Sequence, residues 1–70
     1  MTMMISPAAD AIDRAYYAEW EAAYKVLLNN LIQSEPRADE FFRNHIRCAR
    51  QARSYALQYL KDLANESDPL

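Results

Sequence analysis

The chain has no glycine, one cysteine and three prolines in 70 residues. Without glycine it has no phosphate-binding loop, nucleophile elbow or dinucleotide fingerprint, because each of these motifs needs glycine at fixed positions. A single cysteine, Cys48, excludes an intramolecular disulfide and is typical of a reducing compartment. No apolar run approaches the length of a membrane span, and the apolar segment 1–5 is too short for a signal peptide. We therefore expect a cytoplasmic protein that does not contact a membrane.

The positions of proline divide the chain into two long helices. Hydrophobic residues make up 51% of the chain, and proline occurs only at positions 7, 36 and 69. Ser6, Pro7 and Asp10 are typical of a helix start, with Ser6 as the N-cap. Pro36 interrupts the first helix and can open a second one. The sequence predicts a single all-α domain at 1–70, with helix one at about 7–33, helix two at about 36–64 and a flexible C-terminal tail at 65–70.

Two rows of residues at alternating spacings of three and four predict that the helices pack as an antiparallel hairpin. The predicted core row of helix one is bulky and consists of Tyr17, Trp20, Tyr24, Leu27 and Leu31. The predicted core row of helix two has alanines in its middle and consists of Phe42, His45, Ala49, Ala52, Ala56, Tyr59 and Leu63. A turn near residue 35 would pair positions whose numbers sum to about 70. Trp20 would then lie beside Ala49 and Ala52, so that large residues meet small ones.

Further apolar residues flank both rows, and a two-helix unit cannot cover a stripe this wide. A chain of this length usually needs a disulfide, a metal or a partner chain for stability. We therefore expect a homodimer in which two hairpins form a four-helix bundle. In length and shape alone, this architecture resembles plasmid-encoded Rop, a dimer of helical hairpins that binds paired RNA loops. It is similar in the same respects to small two-helix chaperones of secretion systems and to small phage-encoded inhibitors.

The residues capable of chemistry are few. His45 is the only histidine, and Cys48 follows it by three residues, so two such pairs across a dimer would supply four metal ligands. Zinc motifs, however, usually supply paired ligands locally, so we expect no metal. We expect His45 to pack in the core beside a residue such as Tyr24, and Cys48 to be a small buried hydrophobe. No set of acid, base and nucleophile is present. The sequence therefore predicts a protein without enzymatic activity, catalytic residues or cofactor.

Basic residues concentrate in helix two. Residues 35–64 include six basic and four acidic residues, whereas residues 7–33 include two basic and four acidic ones. Arg43, Arg47 and Arg50, which we call the arginine strip, lie four and three residues apart on one side of helix two. The strip is either a contact surface for phosphates or acidic proteins, or a solvated face whose arginine stems cover apolar flanks.

Two functional hypotheses follow from these features. In the leading one, the protein is a small regulator that binds and inhibits or adapts another protein through a surface of the bundle. In the alternative, it is a nucleic-acid-binding regulator that uses the arginine strip. The negative net charge of −2 favours the protein partner. The candidate partner-binding residues are charged or aromatic and are expected outside the core: Tyr16, Phe41, Arg43, Arg47, Arg50 and Tyr55.

Overall fold

The structure, a computed structural model, describes residues 5–66 and the side chains of residues 7–65. It contains two helices, α1 (Ile5–Ile32) and α2 (Ala38–Glu66), which pack against each other. The predicted all-α fold and the helical hairpin are therefore confirmed. Each helix boundary lies within two residues of the predicted position.

The boundaries differ slightly both at the turn and at the outer ends of the helices. At the turn, α1 ends at Ile32 rather than at 33, and α2 begins at Ala38, so Pro36 precedes the helix that it was predicted to open. α1 already includes Ser6, so Ser6 is a helical residue and not the N-cap that the sequence predicted. Pro7 still lies in the first turn, where a backbone N–H has no partner within the helix in any case. At the other end, α2 includes Asn65 and Glu66 of the predicted tail, and residues 67–70 lie outside the described residues.

α1 ends in a Schellman motif although the chain has no glycine. The Glu35 N–H donates to the carbonyl oxygen of Asn30 at 2.8 Å, and the Ser34 N–H donates to that of Leu31 at 3.0 Å. This geometry requires a left-handed residue, and Ser34 adopts a φ of 60°. A left-handed conformation at a residue with a Cβ is strained, so the reversal between the helices is formed at some cost in stability.

Glu35 also caps the start of α2. Its side-chain Oε2 accepts the backbone N–H of Arg37 at 3.0 Å, and its carbonyl oxygen accepts the N–H of Ala38 at 3.2 Å. Pro36 lies between them, where its missing N–H removes no hydrogen bond. Asp39 and Glu40 follow in the first turn of α2, where acidic groups interact favourably with the helix dipole.

The contact between the helices is narrow. Among the described side chains, only Ala23, Ala38 and Ile46 are buried hydrophobic residues, at 1%, 2% and 7% exposure. The Cα trace spans 58 × 16 × 7 Å, so the hairpin is a flat plate with two broad faces. Its radius of gyration is 16.6 Å, compared with about 11 Å for a compact domain of this length.

Only some residues of the two predicted core rows lie at the contact between the helices. Leu27, Phe42, His45, Ala49 and Ala56 are half-buried along it. The other residues of the two predicted rows are exposed in the single hairpin, which differs from the prediction: Tyr17, Trp20, Tyr24, Leu31, Ala52, Tyr59 and Leu63. Because a helix advances 100° per residue, a contact centred on Ala23 leaves its neighbour Tyr24 well to one side.

The pairing of the helices also differs from the prediction. Glu19 lies opposite His45 and Asp13 lies opposite Arg53, so paired numbers sum to about 65 rather than about 70. Trp20 accordingly contacts Phe42, at 6.1 Å between ring centroids, instead of lying between two alanines. The reason is that residues 33–37 are not helical, and a non-helical segment covers more distance per residue than a helix does. As a result, the first residue of α2 lies level with the middle of the last turns of α1 rather than with the end of α1.

The two broad faces of the plate differ in character. On α1, Ala22 and Tyr24 lie 100° from the buried Ala23 in opposite directions. The face on the alanine side, which we call the groove face, has an open groove lined by Ile12, Ala15, Tyr16, Glu19, Ala49, Ala52, Arg53 and Ala56. The opposite face, which we call the aromatic face, has Tyr17, Trp20 and Tyr24 from α1 and Arg50 from α2.

Candidate protein-binding surfaces

The six candidate partner-binding residues lie in three separate places. Phe41, Arg43 and Arg47 line one shallow, open pocket on the outer side of α2. Tyr16 and Arg50 meet where the two helices face each other. Tyr55 lies on the groove-face side of α2, where its hydroxyl accepts a hydrogen bond from Gln51 at 3.0 Å.

A chain of aromatic rings crosses from α1 to α2 and borders the aromatic face. Tyr16 lies 5.4 Å from Tyr17 and 6.4 Å from Trp20 between ring centroids, and Trp20 in turn packs edge-on against Phe42. Edge-to-face pairs of this kind add to the stabilisation that burial provides. Because Tyr17 is 67% exposed and Trp20 is 38% exposed, the same rings remain available to a partner.

Arg53 links the aromatic chain to an acidic side chain of α1. Its Nε donates to Asp13 Oδ1 at 2.8 Å, and its guanidinium lies 5.5 Å from the centroid of the Tyr16 ring. The hydrogen bond and charge of Asp13 raise the pKa of Arg53 above its ordinary value. A hydrogen bond from Trp20 is the main cause that lowers the pKa of Tyr16, and the hydrogen bond and positive charge of Arg50 add to it.

The arginine strip is partly neutralised by its own helix. Arg43 Nε donates to Asp39 Oδ2 at 2.8 Å, which forms an ion pair one turn apart. Arg47 donates to the neutral side chain of Asn44. Among the described side chains, Arg47 and Arg50 have no carboxylate partner. The strip therefore offers two unneutralised cations rather than three.

Arg37 lies at the N-terminal end of α2, next to the arginine strip. It pairs with Glu40 at 3.1 Å and stacks over Phe41 at 5.0 Å from the ring centroid. The hydrogen bond to Arg37 lowers the pKa of Glu40, and the same bond raises the pKa of Arg37. This pairing adds an acidic group beside the arginine strip.

His45 and Cys48 differ from their predicted environments. His45 Nε2 lies 2.8 Å from Glu19 Oε1 across the helix contact, so its partner is a carboxylate rather than Tyr24. Cys48 is exposed in the hairpin instead of buried, because it lies to one side of the contact. Within residues 5–66, no group of three histidine, cysteine, aspartate or glutamate side chains is arranged to hold a metal ion.

Sequence reasoning assigned Tyr17, Trp20 and Tyr24 to the core and so missed them as surface residues. The available signal was helix geometry. Ala23 and Leu27 lie in a row that runs beside Tyr17, Trp20 and Tyr24, and only one of these two adjacent rows can face α2. The Asp13–Arg53 pair was also missed, because residues 40 positions apart carry no mark of their pairing until the register is known.

The chain matches no protein-family model, and no curated protein or solved structure is significantly similar to it. Neither described helix is long and apolar enough to cross a membrane.

Proposed function

We propose that the protein is a small, non-enzymatic cytoplasmic regulator that forms a homodimer and binds another protein as an inhibitor or adaptor. The observation that carries the proposal is the amount of large apolar surface that the hairpin exposes. Eleven large hydrophobic side chains are exposed in the described part of the chain. They are Tyr17, Trp20, Tyr24, Val26, Leu28, Leu31, Ile32, Phe41, Tyr55, Tyr59 and Leu63. Scattered apolar residues are normal on a surface, but contiguous sets on both faces mark interaction sites.

The accessible surface area gives the same result quantitatively. The area is 5815 Å², whereas a compact monomer of 8.1 kDa is expected to expose about 4,500 Å². The difference of roughly 1,300 Å² exceeds the area of about 800 Å² that each partner buries in a standard interface. This excess supports the proposal of at least one further contact surface, and a second copy together with a partner would use both faces.

The aromatic face has the chemistry of a protein-binding surface. Tyr and Trp dominate the energetics of protein interfaces, and Tyr17, Trp20 and Tyr24 form one row at spacings of three and four. Arg50, which has no carboxylate partner, borders this row through its contact with Tyr16. The partner that fits is an amphipathic helix with an apolar stripe and an acidic edge.

The test uses the tagged protein, purified from its native cell and analysed by mass spectrometry. We expect wild type to retain one specific protein, and a Tyr24→Arg variant to lose it, because Tyr24 is 58% exposed on the aromatic face. An Ala18→Arg variant is the matched control, since Ala18 is exposed on the outer side of α1. Binding should then be reproduced with the purified partner by calorimetry. Equal retention by both variants would refute the aromatic face as the binding surface.

A second candidate function is nucleic-acid binding. It is supported by Arg47 and Arg50, the two members of the arginine strip without a carboxylate partner. The Asp39 and Glu40 carboxylates beside the strip weaken it, because they repel a phosphate backbone. Salt dependence separates the two candidates, since phosphate binding weakens steeply as the salt concentration rises.

A further inference from the structure

The groove face has two rows with a regular seven-residue spacing and opposite sizes. On α1 the row consists of Ala8, Ala15 and Ala22. On α2 it consists of Phe41, Cys48 and Tyr55, all three of which are exposed. Ala15 lines the groove directly, and Ala52 lines it from the other helix, next to the α2 row. The α1 edge of this face therefore has small side chains, and we call it the low edge. The α2 edge has larger side chains that project farther, and we call it the high edge.

We infer that the second copy of the homodimer covers the groove face, with α1 of each copy against α2 of the other. This inference rests on the self-association put forward under Proposed function. A two-fold axis along the length of the plate produces this arrangement, because it exchanges the two edges and keeps the turns at the same end. The low edge of one copy then faces the high edge of the other, which is how packed layers interdigitate.

The levels of the side chains agree with this arrangement. Paired positions in the hairpin sum to about 65, so Phe41 is level with residue 24 and Tyr55 with residue 10. Phe41 of one copy would therefore meet the gap between Ala22 and Val26 on α1 of the second copy. Tyr55 would likewise meet the gap between Ala8 and residue 12. Each ring faces a hole rather than another ring, as in knobs-into-holes packing.

The alternative two-fold axis, across the plate, fits less well. It would place the alanine row of α1 against the same row of the second copy, and Phe41 near Tyr55 of the partner subunit. The first contact would leave a void and the second would hold the plates apart. Charge also favours the axis along the plate, since residues 7–33 have a net charge of −2 and residues 35–64 have a net charge of +2. Only that axis sets the acidic helix opposite the basic one.

The area of the face suits a stable dimer. Extents of 58 and 16 Å give a broad face of roughly 900 Å², which matches the approximately 800 Å² that each partner buries in a standard interface. A second copy on this face leaves the aromatic face open for the partner protein, so the two proposed contacts do not compete.

The first experiment uses Cys48 as a native reporter of the groove face. At concentrations where wild type is a dimer by light scattering, we expect a thiol reagent to modify Cys48 roughly tenfold more slowly than in an Ala15→Arg variant. The variant should be monomeric with unchanged helix content, because Ala15 is exposed in the hairpin. Ala18→Arg places the same side chain on the outer side of α1 and should behave like wild type.

The second experiment determines the direction of the axis. In a Cys48→Ser background, Gln33→Cys places one thiol at the turn of each copy. We expect a short bismaleimide to cross-link the dimer, since turns at the same end are close together. Turns at opposite ends would be separated by up to the 58 Å length of the plate, and no cross-link would form.

The outcomes separate this inference from the proposed function. A dimer that persists in Ala15→Arg with unprotected Cys48, or one that Tyr17→Arg dissociates, overturns the assignment of the groove face. A dimer without a turn-to-turn cross-link overturns the axis along the plate. Wild-type protein that stays monomeric at all concentrations refutes self-association itself, and with it the homodimer part of the proposed function.

Discussion

Ser34 shows how a single residue can limit the stability of this fold. It is the only residue with a positive φ among those described, and it lies where other helices place glycine. We predict that Ser34→Gly raises the free energy of unfolding by about 1 kcal/mol, because it removes the strain of a Cβ in the left-handed region. Urea denaturation followed by circular dichroism measures the change. Ser34→Ala keeps the Cβ and should give no gain, so an equal gain in both variants would exclude this explanation.

Tyr16 is distinguished from the other tyrosines by its environment. A hydrogen bond from Trp20 and the charges of Arg50 and Arg53 stabilise its phenolate, which lowers its pKa below the ordinary value of 10.0. We predict that Tyr16 ionises first in an alkaline absorbance titration, and that Tyr16→Phe removes this earliest transition. Trp20→Phe, which lacks the indole N–H, should shift the Tyr16 transition toward the ordinary value.

The sign of the effect on stability follows from the direction of the shift. A lowered pKa in the folded chain means that ionised Tyr16 favours the folded state. The contribution is fully present above the pKa of the unfolded chain and is lost as the pH falls through the folded pKa. Tyr17→Phe is the control, because Tyr17 is mostly exposed and its loss should leave the earliest transition in place.

At the scale of the elements, the sequence predicted the helices well because their boundaries depend on local chemistry. Pro36 and its capping neighbour Glu35 act within a few residues, and neither helix contains glycine or, beyond its first turn, proline. The predicted and observed bounds accordingly agree within two residues. The Ser6 cap was the exception, since α1 already includes that residue.

The face by which the helices meet was harder to predict. The heptad row in α2 runs from Phe42 to Leu63, whereas the half-buried positions drift to Arg53, Leu60 and Ala64. The buried and half-buried positions Ile46, Ala49, Arg53 and Leu57 follow spacings of three, four and four, which give an eleven-residue repeat. A straight helix drifts by about 20° per heptad relative to a seven-residue repeat, so over three heptads the contact moves to the adjacent row. The sequence pattern alone does not reveal whether the helices supercoil to follow it.

The same limit explains the misplaced aromatics of α1. Size favoured Tyr17 and Tyr24 as core residues, but the helices approach each other through the small residue Ala23. A close approach at alanine leaves no room for a large ring between the axes, so the tyrosines lie on the aromatic face. Whether a partner covers them is a property of the assembly, which local patterning does not specify.

Ala23 therefore provides the test of the helix contact. We predict that Ala23→Leu lowers the free energy of unfolding by about 1–3 kcal/mol, because Ala23 is 1% exposed and a larger side chain must push the helices apart. Ala18→Leu makes the same change at an exposed position of α1 and should alter stability by less than about 0.5 kcal/mol. Chemical denaturation of both variants measures the difference. Similar stabilities would show that the helices do not meet at Ala23.

At the scale of the whole molecule, the flat shape of the hairpin leaves large apolar side chains exposed, which favours self-association. A single hairpin buries three hydrophobic residues within its described part and exposes eleven large ones. Because that core is small for a chain of 70 residues, we expect association to add to the stability of a hairpin that already folds as a monomer. We predict that the melting temperature rises with protein concentration, which calorimetry over a hundredfold concentration range measures. A melting temperature independent of concentration would contradict a dimer.

The arginine strip allows the two candidate functions to be separated in one experiment. We expect the wild-type protein not to shift labelled RNA or duplex DNA at physiological salt. Its net charge is −2, Asp39 neutralises Arg43, and Glu40 adds a further carboxylate beside the strip. Replacing all three arginines with glutamate changes the charge by six units per chain. It should leave the helix content largely intact, because exposed ion pairs contribute at most about 1 kcal/mol each.

Under the leading proposal, this triple variant weakens a protein complex only modestly, since Tyr17, Trp20 and Tyr24 provide most of the contact. Arg14→Glu is the control for location, because it reverses one charge on α1, a change of two units, without altering the strip. Titrations at several salt concentrations complete the measurement. Tight binding of wild type to nucleic acid, with affinity that falls steeply as salt rises and disappears in the triple variant but not in Arg14→Glu, would establish the nucleic-acid-binding function instead.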